Sequence, residues 1–166
     1  MGLTAELRLK FKARQTGAND LGTPEFNAAL EAFFQFANGT GADQADLLFA
    51  DSRNVLASSN DDIDLAGSLS SVYGTTITAA EMVALIIKNK STTQTLTVGA
   101  GSNPWISWLI ATGDGIKIPP RGAFMLVSPD AAGLGAVVAA TGDILRVANG
   151  SGSAADYDIA FLARSA

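Results

Sequence analysis

From Thr4 to Arg14 the chain alternates without a miss. Ala5, Leu7, Leu9, Phe11 and Ala13 fall on one side, and Thr4, Glu6, Arg8, Lys10, Lys12 and Arg14 on the other. A period of two is the signature of a strand with one buried face, whereas a helix would scatter these apolar residues around its circumference. The pattern therefore predicts a strand despite the good helix propensity of Leu, Lys and Glu. Gln15 to Pro24, with Gly17, Asn19, Asp20, Gly22 and Pro24, reads as a loop. Asn27 to Ala37 is ambiguous: Ala28, Leu30, Ala32, Phe34 and Phe36 alternate, but Ala29 and Phe33 break the polar side. A strand is the preferred reading there, with a short helix as its competitor.

Asn38-Gly39-Thr40-Gly41 breaks the chain, and two short strands are expected at Ala45 to Asp51 and Asn54 to Ser58, joined near Ser52-Arg53. Asp62 to Ala66 alternates again. Thr78-Ala79-Ala80-Glu81 has the form of a helix start, but the apolar run behind it is short and β-branched, which predicts one helical turn leading into a strand. Leu85 to Asn89 and Thr95 to Val98 flank a polar stretch and suggest a hairpin. Four further strands are expected at Gly115 to Ile118, Ala123 to Val127, Asp143 to Ala148 and Tyr157 to Ala163, separated by Pro- and Gly-rich turns that no long helix would tolerate. The whole pattern predicts an all-β protein: an antiparallel β-sandwich or jelly-roll-like barrel of about ten short strands. One domain is expected over residues 1–166, with residues 4–14 a candidate intersubunit strand, because no linker or strict repeat divides the 166 residues.

Apolar residues make up 48% of the chain and charged residues 16%, too hydrophobic for a disordered protein and poor in charge for a surface wholly in water. With no cysteine and no histidine, thiolate metal sites, disulfides and the commonest general base near neutral pH are all missing. Hydrolase triads and zinc chemistry are therefore not expected, nor is any cofactor. A net charge of −5 leaves no general footprint for nucleic acid. The opening residues lack the layout of a secretion signal and no apolar run nears the ~20 residues of a membrane helix, so a soluble protein with no membrane partner is expected.

Asp43, Asp46, Asp51, Asp61, Asp62 and Asp64 crowd one segment with Arg53 the single base among them. Such density could collect calcium, but the twelve-residue loop spacing is absent and Asp is an ordinary turn residue. Asp62 and Asp64 share a strand face, the minimum for two-carboxylate sugar chemistry, without an aromatic platform beside them. Gly113-Asp114-Gly115 and Gly99-Ala100-Gly101 are read as turns rather than phosphate cradles. Arg8, Lys10, Lys12 and Arg14 place four of eleven basic residues on one strand face. That stripe reads either as a charged edge that discourages strand pairing, or as an interface with an acidic surface such as Asp61, Asp62 and Asp64 of another copy. Trp105 and Trp108 read first as plugs at one end of the sandwich, with an interface anchor as the alternative.

Ala37 to Leu47, then Asp51-Ser52-Arg53 and Asp62 to Leu69, resemble a family of tailed-bacteriophage virion proteins. The likeness continues through Thr76-Ile77-Thr78, Val83 to Asn89, Leu96 to Gly99, Pro119 to Gly122 with Ser128-Pro129-Asp130, Thr141 to Asn149 and Tyr157-Asp158-Ile159. It covers nearly the whole chain, and its motifs are specific as a set rather than singly. The resemblance implies a non-catalytic structural protein of the phage particle, with no catalytic residues to carry over. The expectation drawn from it is a capsid decoration or cement protein on the head surface. Such a protein would bind the major capsid protein as a homo-oligomer, with a trimer preferred because shells offer local threefold positions. A tail or head–tail connector component is the alternative within the same class, and a carbohydrate-binding or glycan-degrading module on the particle surface is the alternative of another class.

Overall fold

The computed structural model describes residues 2–99 and 101–166, and every regular element among them is a strand. The first two strands stand apart from the rest. β1 (Ala5–Thr16) and β2 (Glu25–Phe36) pair antiparallel over their full length, from Ala5 opposite Phe36 to Thr16 opposite Glu25, in a separate two-stranded sheet. Twelve residues of strand make a ribbon about 35 Å long. Gly39, with φ +145, turns the chain out of the ribbon into the body, and the side chain of Gln44 occupies the space where a Cβ at Gly39 would project.

The body is built from β3 (Leu47–Val55), β4 (Asn60–Asp64), the two-residue strands β5 (Leu69–Ser70) and β6 (Thr76–Ile77), β7 (Glu81–Asn89) and β8 (Leu96–Gly99). It continues through β9 (Gly115–Ile118), β10 (Ala123–Val127), the short β11 (Gly135–Ala136), β12 (Ile144–Asn149) and β13 (Ala155–Arg164). One sheet has the order β10-β7-β13-β3, with β11 also on β7, and the other has the order β4-β12-β8-β9. The longer strands pair first with last and inward from there: β3 with β13, β4 with β12, β7 with β10 and β8 with β9. β13 with β7 and β12 with β8 then complete the sheets. That nested order of eight strands across two layers, with the short β11 added to one of them, is a jelly roll. Ten strands have four or more residues, so the all-β, sandwich-type expectation agrees with the structure.

The core between the sheets draws on both inner faces, among them Phe49, Leu85, Ile87, Leu96, Val98, Leu145, Val147, Tyr157, Ile159 and Phe161. Two buried asparagines pin strand ends where the chain crosses between sheets. Asn89 donates to the carbonyls of Gln94, Ile118 and Pro119 at 2.8–3.1 Å, and Asn149 to those of Val55, Leu56 and Ser153 at 2.9–3.2 Å. Arg164, wholly buried, donates to Glu81 at 2.6 Å and to the carbonyls of Gln44, Asp130 and Ala131 at 2.8–3.0 Å. It ties the C-terminal strand to two loops.

A second, smaller cluster lies on the outer face of the larger sheet. A β-bulge between Leu162 and Ala163 leaves Met82 in the main core while Val83 and Ala84 join Leu162 outside it. Leu7 and Phe36, from the root of the ribbon, complete this cluster, with Phe34, Ile86, Met125 and Val127 packed around it. The root of the ribbon is thereby seated on the body.

Several local expectations are corrected. Residues 47–55 form one strand rather than two, because Ser52 and Arg53 continue the ladder opposite Asp158 and Tyr157. Leu85 to Asn89 and Thr95 to Val98 do not form a hairpin: β7 and β8 belong to different sheets, and the polar stretch between them is a crossover. Both strands bury an apolar face, and the alternation that marks such a face does not say which sheet it belongs to. No helical turn forms at Thr78 to Glu81, since the Ala79 and Ala80 amides bond instead to the Leu65 and Arg164 carbonyls at 2.9 and 2.8 Å. The expected loop from Gln15 loses its first two residues to β1.

Candidate functional site: an amphipathic ribbon

Residues directly opposite each other in an antiparallel pair share a face. The β1–β2 register therefore puts Leu7 beside Phe34, Leu9 beside Ala32, Phe11 beside Leu30, Ala13 beside Ala28 and Gln15 beside Phe26 on one side. That side carries no charged residue. Its root, at Leu7 and Phe36, is buried on the body, but farther out Leu9, Phe11, Leu30 and Phe26 are 46%, 54%, 60% and 68% exposed. An isolated two-stranded hairpin is marginal in water. Exposed apolar sides of this size are characteristic of contact surfaces in general.

The opposite side carries the basic stripe. Lys10 stands across from Glu31 and pairs with it at 3.7 Å, Arg14 reaches Glu25 at 2.8 Å, and Arg8 approaches Glu6 at 3.7 Å while lying 4.7 Å from the ring centre of Phe33. Arg8, Lys10 and Arg14 thus have partners on the ribbon itself, and Lys12 faces Ala29. All of these pairs are exposed, and each contributes no more than about 1 kcal/mol.

Five of the six carboxylates of the acidic segment, Asp43 excepted, have partners within the chain. Asp61 bridges the two sheets: its carboxylate accepts from Arg53 Nε and Nη2 at 2.6 and 2.8 Å and from the Tyr157 hydroxyl at 2.8 Å. Burial pushes the Asp61 carboxyl up, but the hydrogen bonds from Arg53 and Tyr157, with the Arg53 charge, outweigh it and hold the group below its ordinary range. Burial first, and then the hydrogen bond to the neighbouring carboxylate, pushes the Tyr157 hydroxyl far up. The hydrogen bond that Arg53 itself donates to Asp61 is the main reason its guanidinium is held more firmly protonated than usual. Asp62 receives a two-pronged bond at 2.6 and 2.7 Å from Arg146, directly opposite it on β12. Asp51 pairs with Arg53 at 3.2 Å, and Asp46 and Asp64 accept backbone amides of Ser165 and Ala66 at 2.9 and 2.8 Å. Among the described residues no three carboxylates come together as a metal-holding group.

Trp105 is buried in the main core and stacks on Trp108 at 5.8 Å, which in turn packs against Phe124 at 5.5 Å and donates its indole N–H to the Trp105 carbonyl at 3.1 Å. The structure thus does not bring the candidates to one place: the stripe lies on the ribbon, the acids on β3, β4 and the turn before β3, and Trp105 in the core with Trp108 half-buried beside it. What sequence reading missed is that the apolar side of β1 finds no core of its own along most of its length. The alternating Phe26-Asn27-Ala28 and Leu30-Glu31-Ala32 of the partner strand carried that signal. The chain matches no family model, and no curated protein and no solved structure shows significant similarity to it.

Proposed function

We propose that this chain is a non-catalytic structural protein of a tailed-phage particle. Its place is the head, where it binds the major capsid protein and ties neighbouring subunits of the assembled shell together. The observation that carries this reading is the ribbon. An arm about 35 Å long that holds its apolar side away from its own body is an attachment element. The jelly-roll body supports the reading, since capsid proteins are among the users of this architecture, though lectins are too. The side chains of Asp61, Asp62 and Arg164 are engaged in holding the fold together. The resemblance along nearly the whole chain to phage virion proteins supplies the particle as the setting.

The test is removal. Particles assembled without this protein should release their DNA at a lower temperature, and added protein should restore them. Unchanged particle stability would sink the decoration reading. Gold labelling of tagged protein separates head from tail: label along the tail or at the neck would favour a ring component instead.

A further inference from the structure

We infer that the outer part of the ribbon lies on the larger sheet of a second copy of this chain. The root of the ribbon already shows which surface its apolar side fits. Leu7 and Phe36 are buried against Val83, Ala84 and Leu162 on the outer face of that sheet. The same outer face continues past the root. Leu48, Ile86 and Ala160 line an open groove of about 160 Å³ beside Ala5 and Leu7, and Leu48 is 41% exposed there. Each copy therefore carries one unsatisfied apolar arm and one unsatisfied groove of the kind the arm already uses.

Area supports a copy of the chain as the occupant. At roughly 200 Å² for each large side chain, the exposed parts of Leu9, Phe11, Phe26 and Leu30 come to about 450 Å². Set against an equal area of partner, and counted for both arms of an exchanging pair, about 1,800 Å² leaves water, within the range of stable interfaces. One arm and one groove per copy also let the assembly close on itself, as a pair or a ring, without open-ended growth. The basic stripe faces away from this contact and stays in solvent.

This inference does not depend on the phage setting, and its test needs only the purified full-length chain. Light scattering behind size exclusion should give a mass of two or more copies. Phe11→Ser with Leu30→Ser, both at exposed positions, should give a monomer with an unchanged far-ultraviolet spectrum. Because the chain has no cysteine, Ala13→Cys on the arm and Ala160→Cys in the groove report the contact directly. Mixing the two single variants under mild oxidation should yield the mixed disulfide dimer as the main product. A monomeric wild type, or cross-linking only between Ala13→Cys chains, would overturn the inference. A monomer whose arm is protected only on particles would overturn it too, while leaving the proposed function intact.

Discussion

At the scale of single residues, the polar groups that looked most like chemistry hold the fold. Asp61 is the clearest case, because it sits between the sheets and is held by Arg53 and Tyr157. Asp61→Asn keeps the shape but loses the charge that both partners bind, and should cost about 1–3 kcal/mol in urea unfolding. The pH dependence has a defined sign. The folded carboxyl is held below its ordinary value of 3.8, so its contribution is fully present above the unfolded value and disappears as pH falls through the folded one. Wild-type stability should therefore drop more steeply than that of Asp61→Asn below about pH 4. Arg164 makes a second prediction. Replacing it with Met strands the Glu81 carboxylate and three carbonyls that it now bonds, at a cost of about 3 kcal/mol or more. Arg164→Lys should recover only part of the loss, since one ammonium cannot span the fork of four acceptors. Chemical denaturation of the three proteins reads both effects.

At the scale of elements, the ribbon and the body are separable in hydrogen bonding, for β1 and β2 pair only with each other. Leu9 stands directly opposite Ala32, so replacing residues 10–31 with Asn-Gly closes the ribbon through a two-residue turn that suits this register. The shortened protein keeps Leu7, Phe34 and Phe36 on the body. It should unfold within a few degrees of the full chain when both are monomers, and it should not self-associate; calorimetry and light scattering check the two parts. Salt separates the two sides of the ribbon. At about 1 M salt the screening length falls to roughly 3 Å, which abolishes attraction through the exposed stripe. Association through the apolar side should persist or strengthen under those conditions, and dissociation measured by sedimentation would instead assign the contact to Arg8, Lys10, Lys12 and Arg14.

At the scale of the whole molecule, the proposed role predicts stabilisation of the shell by mass action, as for any ligand that binds only the assembled state. Titrating the protein onto bare particles should therefore raise their rupture temperature progressively and then level off once the sites are filled. How much of this molecule was legible in its sequence follows from the range of each signal. Alternation along Thr4 to Arg14, turn residues at Asn38-Gly39 and Pro119-Pro120, and the lack of any long 3.6-residue period determined an all-β chain and most strand positions, because side-chain direction in a strand is a local property. Composition alone removed histidine and cysteine chemistry. Tertiary structure decided the rest. It set β7 and β8 in opposite sheets, joined residues 47–55 into one strand through pairing with β13, and made Asp61 and Asp62 partners of arginines 8 and 84 residues away. It also decided that the apolar side of β1 meets the body only at its root. Alternation states that a strand has a side to cover, but what covers it is a long-range contact, and within this chain that contact is made only at the root of the ribbon, by Leu7 and Phe36.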